Sequence, residues 1–165
     1  MRRTLVPILL LAALPASAEA RYAAIGAAAP PPPFPVDGEW EWGGADTAFG
    51  DRGGSHAGVD VMSPCGTPVV ASESGRVVFA EASGAAGNYL VMRVDASREE
   101  HVFMHLARRP RAREGDAVAA GEQIGSVGRT GNASACHLHF EIWRPPGWQR
   151  GRARDPRPDL ERWAS

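Results

Sequence analysis

The sequence predicts one compact all-β sheet domain with accessory segments at both ends. Three observations carry this. The chain has 165 residues, a length that suits one domain rather than two. From Gly38 onward, short runs rich in Val, Ile, Phe and Tyr are separated by Gly, Pro, Ser and Asn, the punctuation of strands and turns. No long window after the N-terminal stretch shows the 3.6-residue period of a helix.

Residues 1–18 read as an export signal. Arg2 and Arg3 form a charged start, Leu5 to Leu14 an apolar run, and Ala16-Ser17-Ala18 a small-residue cleavage site. That run is about half of the roughly 20 residues that a membrane span needs, so no stable membrane insertion is expected. No cysteine lies near the cleavage site to carry a lipid, and a secreted or extracytoplasmic location follows. Residues 19–36 form an Ala/Pro-rich linker, too short and too biased to be an inhibitory prodomain.

The domain is expected over residues 37–145, with strands at Val59–Met62, Pro68–Ser72, Arg76–Ala82, Asn88–Asp95, His101–Leu106, Gln123–Val127 and His137–Trp143. Turn residues Ser74-Gly75, Gly84 to Asn88 and Gly128 to Asn132 separate them. Residues 146–165 read as an Arg/Pro-rich tail that wraps the surface without adding a strand.

The formal net charge is −1 and becomes −3 once the signal's two arginines are removed. Nothing there suggests nucleic acid, which calls for a clearly basic face. All the basic residues are arginine. Those at Arg108, Arg109, Arg111 and Arg113, and from Arg144 to Arg157, read as solvated loops, or more sharply as contacts to an anionic wall polymer. Cys65 and Cys136, in a chain that leaves the cytosol, are expected to pair. The bond would close a loop of about 70 residues and contribute roughly 4 kcal/mol on the chain-entropy model.

Four of the five histidines fall into motifs. In Cys136-His137-Leu138-His139-Phe140-Glu141-Ile142, alternation sends Leu138, Phe140 and Ile142 to the core, and His137, His139 and Glu141 into a common space. Cys136 shares parity with Leu138 and should face away from the histidines. In His56-Ala57-Gly58-Val59-Asp60, a fully extended backbone would separate the ends by about 13 Å, so the chain must bend, with Gly58 supplying the permissive backbone. Around Phe103-Met104-His105-Leu106, parity sets His105 opposite to Met104 and Leu106, within reach of a groove; His101 is read as a turn residue. Catalytic zinc takes three protein ligands and leaves a fourth position for water, whose pKa it lowers while polarising a carbonyl. His56, Asp60 and one of His137 and His139 would supply the ligands. The other histidine and His105 remain for proton transfer, and chemistry alone does not choose between the pair.

At these residues the chain resembles the lysostaphin-type zinc metallopeptidases, a family of peptidoglycan endopeptidases. The resemblance runs from about Phe49 to Trp143 and includes HAGVDVMSPCGTPVVASESGRVVFA, GNYLVMRV, FMHL, GDAVAAGEQIGSVGRTGN and HLHFEIW in the family's order. It implies one zinc ion on His56, Asp60 and His139. It also implies catalytic roles for His105 and His137, as general base and transition-state stabiliser, and a compact antiparallel β-sheet sandwich whose groove takes peptidoglycan peptide stems or cross-bridges. The cysteine pair resembles that of some secreted members. Phe103 departs from the tyrosine many relatives carry there. A monomer is the working expectation.

Three rivals follow from the same residues. One is a non-catalytic wall-binding or amidase-activating module on this fold, disfavoured because all five metal and catalytic residues are present. A cupin-like site would place its acid further from the HxH pair than Glu141 lies. A structural zinc site is generally closed by four protein ligands and favours cysteine.

Overall fold

The structure is a computed structural model that describes residues 30–165; the expected signal and most of the linker lie outside them. Among the described residues an eight-stranded antiparallel sheet contains β1 (Glu41–Trp42), β2 (Val59–Met62), β4 (Gly75–Ser83), β5 (Gly87–Val94), β6 (Glu100–Leu106), β7 (Ala117–Val118), β9 (His137–Trp143) and β10 (Ala153–Arg154). Its order is β1-β2-β9-β6-β5-β4-β7, with β10 paired to β9 beyond the end of β2. A second, two-stranded sheet pairs β3 (Pro68–Val70) with β8 (Gln123–Ser126). No helix among the described residues is long and apolar enough to cross a membrane.

The seven expected strands are all present, and alternation sorts their side chains. One face of the large sheet supplies Val59, Val61, Leu90, Met92, Phe103, Leu138, Phe140 and Ile142 to a main core. That core also takes in Val69 and Ile124 of the small sheet. The other face carries a smaller cluster of Tyr89, Val91 and Val102, flanked by Met104, Trp143 and Trp148. Phe103 has no exposure and packs on Phe140, with ring centroids 5.2 Å apart, so a hydroxyl at this position would enter the core, not the groove. Cys65 and Cys136 are bonded, with Cα atoms 5.2 Å apart. The bond ties the segment leaving β2 to the residue entering β9.

Both expected boundaries shift. The tail does add a strand: Ala153 and Arg154 pair with Trp143 and Ile142. A helix, α1 (Arg157–Trp163), follows and buries Leu160 and Trp163 in the main core. Pro158, in the first turn, fits a helix start, where the missing N–H has no intrahelical role. Arg154 fastens this segment with a two-pronged contact to Glu99 at 2.7 and 2.8 Å and a second contact to Asp159. At the other end the linker's last residues belong to the domain. Val36 is buried and bridges to Val69, and the Phe34 ring stacks on Trp40 at 4.1 Å.

His101 is not a turn residue. It lies in β6, 2% exposed, against the rings of Phe140 and Trp163. Burial pulls its pKa down to about 4, against the upward effect of Glu99 and Asp159; Arg154 nearby adds to the depression.

Truncating Leu160 to Ala is expected to cost about 2–5 kcal/mol in a denaturant melt, because it opens a cavity under the tail. A change within 0.5 kcal/mol, the roughly neutral range of surface sites, would mean that the helix is not part of the cooperative unit. His101 has a depressed folded-state pKa, so its contribution is full above the unfolded value of about 6.5 and is lost as pH falls through about 4. Wild type should therefore lose about 2 kcal/mol more than His101→Phe on going from pH 7.5 to pH 5. Equal losses in the two proteins would show that this ring is not held neutral.

Candidate metal centre

The β2–β9 ladder builds the centre. Asp60 stands directly opposite His139, and Met62 opposite His137. Such cross-strand partners have Cβ atoms about 4.5–5.5 Å apart, so an acid and an imidazole on one face meet without any loop. His56 arrives from the turn before β2. The chain bends at Gly58 as expected, but the need for glycine there is spatial. A Cβ would stand 2.3 Å from the Phe140 carbonyl oxygen and 2.9 Å from His139 Nε2. Gly58 lets the His56 segment lie flat on β9.

Three candidate ligand atoms converge. His56 Nε2 lies 3.1 Å from Asp60 Oδ1 and 3.1 Å from His139 Nδ1, and the last two are 2.7 Å apart. Tetrahedral zinc with bonds of about 2.0–2.1 Å sets its ligand atoms about 3.3 Å apart, so the triangle needs to widen by only a few tenths of an ångström. The three residues are 4–7% exposed. Two nitrogens and one carboxylate oxygen form a donor set that suits zinc, with a fourth corner left over.

The outer contacts fix which atoms point inward. His56 Nδ1 donates to the Ala48 carbonyl at 2.7 Å, which leaves Nε2 bare. His139 Nε2 donates to Glu141 Oε1 at 2.9 Å, and Trp143 Nε1 holds the other Glu141 oxygen at 2.6 Å. A carboxylate behind a histidine in this way sets its tautomer and raises its basicity as a ligand. Arg52 donates to Asp60 Oδ2 at 2.9 Å and to the Asp46 carbonyl at 2.8 Å, so Asp60 presents a single oxygen to the cluster.

Burial alone would raise the Asp60 carboxyl; the hydrogen bond from His139 and the three nearby imidazoles outweigh it and hold its pKa at about 2. Burial works against charge on His139 as well, yet the Asp60 and Glu141 carboxylates lift its pKa to about 9.

His105 and His137 flank the triangle, their ring centroids 4.7 Å apart. His137 Nδ1 contacts the Ala135 carbonyl at 3.0 Å, and its Nε2 stands 3.7 Å from Asp60 Oδ1. His105 reaches the groove by a different route from the one parity suggests. Met104, opposite His139, already faces the groove, so simple alternation would send His105 into the core. Its φ of +61° inverts the alternation, bringing the ring out and returning Leu106 to the core. A left-handed non-glycine residue costs on the order of 1–2 kcal/mol. His105 Nδ1 donates to the Thr130 carbonyl at 2.8 Å, leaving Nε2 bare towards the cleft, and burial keeps the ring neutral, with a pKa of about 4. Around these groups lies a cleft of about 520 Å3, lined by Trp42, Arg52, Asp60, His105, Asn132 and His137 among others. Arg52, Ala48 and Thr130 went unnoticed in the sequence. A carbonyl carries no residue signal, and Arg52 lies in a left-handed turn with no periodicity.

An antiparallel β groove with a buried His–Asp–His cluster and two flanking imidazoles is the architecture of a metallopeptidase. Residues 54–156 match Peptidase family M23, and the chain belongs to that family. It is 37% identical to lysostaphin of Staphylococcus simulans over 114 residues, which are 68% of this chain and 23% of that protein. Over 86 residues, 52% of this chain, it is 42% identical to the DD-carboxypeptidase/endopeptidase Mpg of Neisseria meningitidis serogroup B, of which it covers 19%. The chain thus aligns with about a fifth of each of these relatives. The solved catalytic domain of Staphylococcus simulans lysostaphin superposes with a TM-score of 0.63 at 35% identity, covering 74% of this chain and 92% of that one. A zinc-containing peptidase from Vibrio cholerae gives 0.59 at 27% identity, covering 77% and 38%.

Glu141→Gln should weaken zinc binding about 10- to 100-fold, as loss of such an outer carboxylate does, in competition titrations against a chromophoric chelator. Unchanged affinity would remove Glu141 from the centre's support.

Proposed function

We propose that this chain is an exported zinc endopeptidase that hydrolyses peptide cross-links of bacterial peptidoglycan. His56, Asp60 and His139 are assigned as the metal ligands, with His105 as general base and His137 as the group that stabilises charge in the transition state. The observation that carries this reading is the convergence of three inward-pointing ligand atoms, within 3.1 Å of one another, beside two imidazoles that point into the same cleft. Zinc held there supplies Lewis acidity, lowering the pKa of a water and polarising the scissile carbonyl.

The remaining chemistry belongs to the chain. The bare Nε2 of His105, fixed by the Thr130 carbonyl on the opposite nitrogen, is placed to take a proton from a nucleophile in the cleft. His137, oriented by the Ala135 carbonyl, is placed to hold charge developing on a carbonyl oxygen. Burial of Asp60 and the histidines thins the water around both steps. The names of the relatives, a lysostaphin and a DD-carboxypeptidase/endopeptidase, support peptidoglycan as the substrate. The N-terminal signal pattern supports export. The alternative, a non-catalytic wall-binding or amidase-activating module, is disfavoured by His105: a pure binding module gains nothing from an imidazole in a left-handed conformation.

Two variants separate the roles. His139→Ala should abolish zinc binding and activity together. His105→Ala should keep a full zinc equivalent by elemental analysis while release of soluble peptides from purified walls drops about 10²- to 10⁴-fold. Zinc-loaded wild type that releases nothing from walls of several cross-link types would favour the binding module.

A further inference from the structure

The sheet face that carries the histidines continues past them. Along it the strand registers align one cross-strand row of side chains. Asp60 on β2 stands opposite His139 on β9, His139 opposite Met104 on β6, and Tyr89 on β5 opposite Glu81 on β4. Tyr89 meets β6 at the irregularity between Asn88 and Leu90, level with Met104 and His105. A parallel row follows, Glu141–Val102–Val91–Phe79. Val91 and Val102 are fully buried and Tyr89 is 6% exposed, so these rows form a packed layer that runs in register from the metal centre to β4.

At its far end Phe79, Tyr89 and Trp148 form an aromatic corner, with Trp148 centroids 5.2 Å from Tyr89 and 6.1 Å from Phe79. The corner belongs to a cavity of about 620 Å3, rimmed by the polar groups of Glu81, Gln149 and Arg150, a volume inside the range of roughly 300–1,000 Å3 for small-molecule sites. Phe79 is 36% exposed, the one large exposed hydrophobic side chain among the described residues.

Trp148 is held in place. Glu100, 1% exposed, accepts from the Trp148 backbone N–H at 2.7 Å with one oxygen and from Arg93 Nε at 3.0 Å with the other. Gly147, at φ +109°, lies so close that a Cβ would clash with that carboxylate. The buried carboxylate thus ties the loop backbone at Trp148 to Arg93 on β5.

We infer that this corner is a saccharide subsite, which takes the N-acylated pyranose ring at the base of the peptide stem; the inference rests on the peptidoglycan reading above. A pyranose has apolar C–H faces and polar edges. Stacking a face on Trp148 removes apolar surface from water, while Glu81, Gln149 and Arg150 can meet the hydroxyl and acylamino groups. The reach agrees. Three strand spacings separate His139 from Glu81, about 14 Å, which an extended peptide covers in about four residues. That is the span of a stem between its sugar and a cross-link at its far end.

The experiment compares the zinc-loaded full chain binding an uncross-linked tetrapeptide stem with and without its disaccharide, by calorimetry. The sugar should tighten binding about tenfold, as one well-stacked ring can. Trp148→Ala should erase that difference while leaving affinity for the bare peptide within about twofold. Arg150→Ala, on an exposed side chain, should narrow it without risk to folding. Equal affinity for the two ligands in wild type, or a Trp148→Ala loss that is the same for both, would overturn the subsite; the second result would give the corner to peptide. Hydrolysis of cross-linked dimers is measured alongside. Cleavage with no sugar effect sinks the subsite alone, whereas sugar-dependent binding with no cleavage sinks the hydrolase reading alone.

Discussion

The antiparallel pairing of β2 with β9 is the constraint from which the centre follows. It sets Asp60 across from His139 and Met62 across from His137, so two of the three candidate ligands stand face to face by register alone. Register in a half-buried sheet is strongly specified, since a slip of one residue would turn every side chain to the wrong face. Here a slip would drive Leu138 and Phe140 into the groove and the histidines into the core. The apolar residues that stabilise the fold therefore also enforce the geometry of the polar ones.

Around this pairing, each polar group has its own holder. Ala48 holds His56, Arg52 holds Asp60, Glu141 and Trp143 hold His139, Thr130 holds His105, and Ala135 holds His137. Two of these holders come from the segment before β2 and two from the segment between β8 and β9. The disulfide between Cys65 and Cys136 joins the chain just beyond the same two strands. The loops at this end of the sheet are thus tied to the strands that carry the candidate ligands, and this favours a preorganised site.

Much of this was legible in the residues. Each of the seven strands longer than two residues had its own alternating or β-branched run. The HxH parity correctly sent His137, His139 and Glu141 to one side, and the resemblance carried the choice of His56, Asp60 and His139. What stayed hidden depends on tertiary contact. The two-residue strands β1, β7 and β10 exist only through a partner, and so short a stretch has no period to read. The Arg/Pro-rich tail was read as a surface wrap, but from Arg157 it forms a seven-residue helix whose Leu160 and Trp163 share one face. Parity assigned His105 to the groove on the assumption of a regular strand; the structure takes it there by breaking the regularity.

That break makes conformational cost and chemical usefulness inseparable at one residue. The backbone at position 105 would be most at ease with glycine, and next with asparagine, and neither carries an imidazole. Selection for a sturdier fold alone would drift towards those residues and leave a well-packed domain without the imidazole proposed as its general base. On the role proposed for His105, thermostability screens on this scaffold will tend to discover inert proteins unless turnover is scored at the same time.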